Sequence, residues 1–321
     1  MDYFVKVDGG IGRCIAATGA VKEYAKKKEE QGDRVFVVSG FPYVFEGVDH
    51  VERVYPIQTP FLYEDKIMEG DFLEPEPYND KRYYKNRKHL STVFNYLLNG
   101  SEEFIKPEML LTENELSDGK KMIEQVKIDS GKKKVMLIQP WGSQGGEILP
   151  PQNPNDKPQV KKDESYRSFT VSFIEKLAEA FKEEYLIFNI RNNGQLDNKD
   201  MRGLYHFNPR VIFSMIPHVD AVISCDSFLH HASEAIGGPK TAVLWGGTCQ
   251  EHLGYEDQLN IKKSGKVFDE PNRIIHNHAW YIQKNSGCNK FGDEEITKLK
   301  EYFSKPIELN KTKVLKKVLH E

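Results

Sequence analysis

Tyr3-Phe4-Val5-Lys6-Val7, then Asp8-Gly9-Gly10-Ile11-Gly12, then a run in which Ile15, Ala16, Ala20, Val21 and Tyr24 recur at helical spacing, is the stretch that decides the fold. A short β-rich segment breaks at glycines and passes into a helix, with Lys26 to Lys28 near its end and Gly32 as its stop. Arg34-Val35-Phe36-Val37-Val38 reads as a second strand, and Val51 to Tyr55 as a third. Strand, glycine turn, helix, strand is a βαβ unit, which predicts a parallel sheet.

Past this unit, 56–86 is rich in Pro, Tyr and charge and reads as long loops with short helices. His89 to Leu98 and Leu116 to Val126 read as helices. A second series then begins with the apolar strand Lys134 to Ile138. It continues as a loop over 145–166, the amphipathic helix Phe173 to Phe181 and the strand Tyr185 to Ile190. The helix Val211 to Ile216, the strand Ala221 to Ser224, the helix Phe228 to Ile236 and the strand Thr241 to Trp245 complete it. Two Rossmann-like α/β halves follow from this pattern, 1–130 and 131–321, with a Lys-rich tail at Lys311 to Lys317. A length of 321 residues agrees with two domains, at about 150 residues each.

Composition narrows the class. With 39% hydrophobic residues the chain can bury real cores. No run of about 18 apolar residues is present, so no spanning helix is expected. MDYFVKVDGG lacks the basic and apolar regions of a secretory signal, and Cys14, Cys225, Cys249 and Cys288 form no close pairs. Reduced thiols in a cytoplasm are the expectation. The formal charge of −3 gives no global attraction to nucleic acid or to acidic membranes.

Three local patterns could carry chemistry. The turn Gly9-Gly10-Ile11-Gly12 lies where backbone N–H groups and a helix dipole suit an anion, although Ile15 stands where a dinucleotide fingerprint needs its third glycine. The turn can equally serve only helix–sheet packing. Asp226-Ser227 ends a strand and opens a helix, where both side chains are expected to accept first-turn N–H groups. In that helix His231 is placed to meet a phosphate or sugar, whereas His230 reads as an ordinary surface histidine. Lys81-Arg82-Tyr83-Tyr84-Lys85-Asn86-Arg87-Lys88-His89 is basic and aromatic without an acid. It reads either as a solvated loop or as a contact for a polyanion. His276, His278 and Trp280 complete no metal site, because no third ligand has the right spacing.

The run Asp226-Ser227-Phe228-Leu229-His230-His231, then Gly237-Gly238-Pro239, an apolar strand and Gly246-Gly247-Thr248, resembles the nucleotide-sugar segment of glycosyltransferase family 9. That family comprises the ADP-heptose:lipopolysaccharide heptosyltransferases and their relatives. Gly9 and Gly12 match the family's glycine turn, and Arg167-Ser168-Phe169 resembles its Lys-x-Trp segment. The resemblance implies a GT-B fold, two Rossmann-like domains whose parallel sheets face a central cleft. It implies a donor site of Arg167, Asp226, Ser227, His231, Gly246, Gly247 and Thr248, and an inverting transfer of a sugar from a nucleoside diphosphate. The first domain would hold the acceptor, with Gly9, Gly10, Gly12, Lys81, Arg82 and Tyr84 on that side.

The sequence also departs from the family. Phe228 replaces a glycine, Trp245-Gly246-Gly247-Thr248 replaces a Phe-Gly-Pro-Thr type of turn, and one extra residue sits near Lys240. Arg13 stands where the family places its aspartate base, and a guanidinium with a pKa above about 12 cannot act as one. Asp8 is the first choice to replace it, ahead of Glu64, Asp65 and Asp49; bracing the loop amides is its alternative role. Arg13 itself could meet an anionic acceptor. No Asp-x-Asp pair closes a strand, so helix N-termini and basic side chains are expected to neutralise the leaving diphosphate with no metal and no cofactor. A saccharide or small acceptor is expected. The alternatives are transfer to hydroxymethylated bases in DNA and a catalytically inactive nucleotide-sugar binding protein.

Overall fold

The computed structural model describes residues 1–142, 148–149, 159–160, 167–191, 198–205, 208–262 and 290–305. The opening βαβ unit forms as β1 (Asp2–Lys6), α1 (Ile11–Glu29) and β2 (Arg34–Ser39). Next come β3 (Val51–Pro56), α2 (Leu62–Asp65), β4 (Asp71–Leu73), α3 (Lys81–Tyr84), α4 (Leu90–Asn99) and α5 (Glu113–Ser130). The second series is β5 (Lys134–Gln139), β6 (Ile148–Leu149), β7 (Gln159–Val160), α6 (Val171–Phe181), β8 (Tyr185–Ile190) and β9 (Arg202–Leu204). It ends with α7 (Pro209–Met215), β10 (Ala221–Ser224), α8 (Phe228–Ile236), β11 (Thr241–Trp245), α9 (Gln250–Leu253), β12 (Leu259–Lys262) and α10 (Asp293–Ser304).

Two parallel sheets result, in the orders β3-β2-β1-β4 and β12-β11-β10-β5-β8-β9. The near-continuous apolar runs of β2, β5, β8 and β11 suit strands covered on both faces, the usual state of a parallel sheet. Strand direction of travel reverses beside β1 in the first sheet and between β5 and β10 in the second. Such switch points leave a crevice beyond the carboxyl ends of the strands, where ligands bind in open α/β sheets. β4, β9 and β12 were not among the predicted strands; the first two are only three residues long and carry polar residues.

The halves share one core. Val5, Val37, Cys14, Ile15 and Ala17 from the first half bury together with Phe213, Leu229, Ala232 and Val243 from the second. Alanines on α1 and α8 let the two helices approach closely. Gly12 is required there, because a Cβ on it would stand 2.6 Å from Cδ2 of His231. The buried Arg210 closes the same seam: Nε donates to Glu115 at 2.7 Å, and Nη1 donates to the Tyr43 carbonyl at 3.2 Å. Helix α5 starts with a Thr112/Glu115 capping box and packs on α7, so the chain enters the second layer before residue 130. A second core, with Met136, Phe173, Leu177, Ile223 and Leu299, fills the far face of the larger sheet.

Candidate functional site

A cavity of about 740 Å³ opens where the carboxyl ends of β1, β5, β8 and β10 meet. Its size is that of a pocket for a drug-sized or cofactor-sized ligand. The first half supplies Gly9 to Arg13, Phe41 from the end of β2, and Tyr78, Tyr83 and Leu90. The second half supplies Gln139, Trp141 and Gly142 after β5, and Ile190 and Arg191 after β8. Arg167, Asp226, Ser227, Phe228, His231 and Leu253 complete the described lining.

Positive charge dominates. Arg13, Arg167 and Arg191 all reach the cavity, and the N-termini of the 19-residue α1 and the 9-residue α8 open onto it. Asp226 is the one carboxylate among the described lining residues, and the Arg167 guanidinium lies 3.8 Å from it. Arg13 donates to Glu76 at 3.0 Å and to the Pro75 carbonyl at 3.3 Å, with its guanidinium carbon 4.9 Å above the Tyr78 ring. Arg191 lies 4.6 Å over Tyr205. A convergent set of guanidiniums and helix N-termini suits a polyanionic group such as a diphosphate.

The start of α8 differs from the sequence expectation. Ser227 occupies the N-cap position in an extended conformation, but no side chain caps the helix from there. The Leu229 N–H instead donates to Oε1 of Gln139, 3.0 Å away on β5. Asp226 faces Arg167 and lies 3.7 Å from His230 Nε2. His230 is not a surface residue either; it is completely buried, its ring 3.9 Å from that of His231 and edge-on to Trp245. A helix wedged between a sheet and a second domain buries both of its faces, which the local pattern does not announce.

His231 does line the cavity, as the uncharged imidazole. Burial holds its pKa well below the ordinary value, and the adjacent His230 acts in the same direction against the opposing pull of Asp226. Its Nδ1 lies 2.7 Å from the Tyr255 hydroxyl. Burial pushes the Tyr255 pKa well up, so the phenol keeps a proton that needs an acceptor. Nδ1 and the phenol therefore share one hydrogen bond, and Nε2 is the ring nitrogen beside Gly12.

Asp226, His230 and His231 bring one ligand atom each within 4.8 Å of one another, the one such group among the described residues. Arg167 already answers the Asp226 charge, and Tyr255 occupies one nitrogen of His231.

Other residues singled out in the sequence fall elsewhere. Asp8 lies two residues past β1, beside the turn, but is not part of the lining; its Oδ1 leans over Gly40, where a Cβ would come within 2.7 Å. Glu64 and Asp65 are exposed on α2, and Asp49 pairs with Lys22 at 3.3 Å. Gly246, Gly247 and Thr248 are buried beyond β11, outside the lining. Lys81 is exposed, while Arg82 bonds Asp80 and, at 2.7 Å, Glu102, and lies over the Tyr96 ring. Within the basic run Arg82 is thus spent on carboxylates, whereas Lys81 and Lys85 are exposed. Tyr83, not the half-buried Tyr84, reaches the cavity, its ring 4.2 Å from His252. His276, His278, Trp280 and Lys311 to Lys317 lie outside the described residues. Gln139, Trp141, Arg191, Phe41 and Tyr255 were not anticipated, because only strand order and the opposing half bring them to the crevice.

No family model and no curated protein matches the sequence. Solved structures do match the fold. ADP-heptose LPS heptosyltransferase II of E. coli superposes with a TM-score of 0.60 at 11% identity, covering 89% of this chain and 100% of the other. A family 9 glycosyltransferase of Veillonella parvula gives 0.61 at 10% identity, over 94% of this chain and 96% of the other. The dodecameric iron-containing heptosyltransferase TibC of E. coli, in complex with ADP-D-β-D-heptose, gives 0.59 at 7% identity, over 94% and 75%. At such identities the likeness is one of fold. The chain has the two-sheet α/β fold of the GT-B heptosyltransferases.

Proposed function

We propose that the protein is a glycosyltransferase that moves a sugar from a nucleoside diphosphate sugar to an acceptor hydroxyl, with a saccharide or another small molecule as acceptor. The observation that carries this reading is the convergence of Arg13, Arg167, Arg191 and two helix N-termini on one cavity at the switch points of both sheets. Support comes from TibC, whose structure holds ADP-D-β-D-heptose, and from the E. coli heptosyltransferase WaaC, whose structure holds ADP.

In the proposed reaction the acceptor oxygen attacks the anomeric carbon opposite the leaving group, so configuration inverts. The new C–O bond forms as the bond to the diphosphate breaks, and its electron pair leaves with the nucleoside diphosphate. Arg167, Arg191 and the α8 N-terminus stabilise that developing charge, with no metal ion required. Asp8, next to the glycine turn, takes the acceptor proton in this reading, for which its carboxylate has to turn from Gly40 into the cavity. Asp226, Ser227 and His231 hold the donor in this reading, and Gly246, Gly247 and Thr248 support the loop behind it.

The test is a screen of nucleoside diphosphate sugars for binding and hydrolysis, repeated with excess chelator. One donor should bind and turn over slowly at a rate insensitive to the chelator. A complete loss that magnesium restores would overturn the metal-free mechanism. A second reading, a binding protein without transfer, is favoured by one observation: no carboxylate of the first half lines the cavity. Donor binding without turnover under any acceptor would select it.

A further inference from the structure

We infer that the acceptor presents its hydroxyl on a planar aromatic ring, not on a polyhydroxylated sugar ring; the inference rests on the transferase reading above. The first half's side of the cavity is built from residues between Gly9 and Leu90. Its floor is the turn Gly9-Gly10-Ile11-Gly12, where a Cβ on Gly10 would meet nothing within 4 Å. Bare backbone there lets a flat ring settle close to the start of α1. Phe41 flanks the floor on the β2 side, and Tyr78 and Tyr83 flank it on the β4 side, their rings 5.1 Å apart at 70°. Leu90 lines the same wall, and the Arg13 guanidinium reaches the cavity from above the Tyr78 ring.

That wall contains no Asp, Glu, Asn or Gln. A saccharide ring can stack on an aromatic side chain, but its several hydroxyls each need a hydrogen-bond partner once buried. Carboxylate and amide groups, which serve vicinal hydroxyls in pairs, lie on the donor side as Asp226 and Gln139, and this wall offers only the Tyr78 and Tyr83 hydroxyls, the Arg13 guanidinium and backbone groups. Aromatic faces, aromatic edges and a guanidinium plane instead match a flat π-system. The ring carries one reacting hydroxyl, directly or through a methylene, and that hydroxyl would point towards the donor.

Two sources share this chemistry: a free small aromatic alcohol, and a hydroxymethylated base presented by a polynucleotide. The experiment uses the full chain and saturation-transfer NMR, which needs no turnover. The probes are 4-hydroxybenzyl alcohol, 5-hydroxymethyl-2′-deoxycytidine, methyl glucoside and cellobiose, each with and without the nucleoside diphosphate that binds best. Saturation should reach the aromatic protons of the first two probes and bypass the sugar-only probes. It should fall at least fivefold in Tyr78→Ala and return in Tyr78→Phe, with Phe41→Ala as the second variant should Tyr78→Ala not fold. Preferential saturation of the saccharides, or equal signals with and without the Tyr78 ring, would overturn the inference.

With the cognate donor, aromatic alcohols should raise donor consumption at least tenfold, and the Tyr78→Ala defect should appear in acceptor KM more than in donor KM. Stimulation by saccharides alone would overturn the inference. Absence of any donor binding would overturn the transferase reading, while leaving the NMR result to judge the aromatic slot. A single-stranded oligonucleotide carrying 5-hydroxymethylcytosine separates the sources. A tenfold preference for it over the nucleoside identifies the polynucleotide, and parity identifies the free small molecule.

Discussion

Two helices open onto the same cavity and open differently. Helix α1 begins at Gly10 with no side chain over its N-terminus, and its first turn carries Arg13, which is held by Glu76. Helix α8 begins at Ser227 with its Leu229 N–H already taken by Gln139, and with Asp226, Arg167, His230 and His231 packed around it. One entrance is bare backbone walled by aromatic rings; the other is a crowded set of charges and buried imidazoles. The difference teaches how, in the proposed transferase, two pseudo-equivalent halves would divide the work. A crowded, cross-braced entrance can hold a diphosphate in one orientation, whereas a bare one leaves room for a second substrate to approach it.

The largest effect that would break this division lies at Asp8. If it takes the acceptor proton, Asp8→Asn should lower single-turnover transfer by about 10²–10⁴-fold while donor affinity stays within about twofold. A transfer rate within about threefold of wild type leaves no base role for Asp8 and returns it to bracing the turn. On the other side, Arg167→Ala removes the cation beside Asp226 and, in the proposed complex, beside the diphosphate. Donor binding measured by calorimetry should weaken by about 10- to 100-fold, the loss of one charge-assisted contact. Unchanged affinity in the folded variant would show that the donor lies elsewhere.

The seam between the helices gives a third measure. Gly12→Ala puts a methyl 2.6 Å from the His231 ring, which Tyr255 holds in place. The strain expected of overpacking is about 1–3 kcal/mol, readable as a lower urea midpoint at constant m-value. A midpoint equal to wild type would mean that α1 and α8 separate easily, and that the entrances are not braced against each other.

Acidity gives the most gradual effect. His89 caps α4 through its Nδ1, which accepts the Ser91 N–H at 3.1 Å, and burial lowers its pKa from 6.5 to about 3. The folded protein therefore keeps His89 neutral while the unfolded chain takes up a proton below 6.5. The contribution is complete above that value and is lost progressively as pH falls towards 3. His231, also held low, acts in the same direction. The apparent Tm should fall between pH 6.5 and 4, by less in His89→Asn, where the Asn side chain can still cap. An identical fall in that variant would assign the acid sensitivity to other groups.

Much of the fold was legible in the residues. Val35 to Val38, Lys134 to Ile138 and Thr241 to Trp245 are apolar runs that only a strand covered on both faces explains, and Gly32, Gly131 and Gly237 stop helices with positive φ. The three-residue strands β4 and β9 were not legible, because so short a segment has no period; pairing with β1 and with β8 is what makes them strands. The site was legible in part. Gly9 to Arg13, Arg167, Asp226, Ser227 and His231 do meet at the cavity. The cap on α8 was misplaced because Asp226 and Ser227 are the local residues that ordinarily provide one, while the acceptor used comes from a strand about ninety residues earlier.

By itself, the sequence determined most of the longer strands and helices, that the sheets are parallel, and that two glycine- or serine-led helix starts follow strand ends. Those properties depend on neighbours a few residues away, on apolar runs and on backbone freedom. Only the tertiary structure decided that Gln139 caps α8, that Tyr83 and not Tyr84 reaches the cavity, and that His230 and His231 are buried and His231 uncharged. Each of these depends on which surface another part of the chain covers. Burial, and with it the charge of a histidine or the reach of a tyrosine, is a property of packing between distant segments.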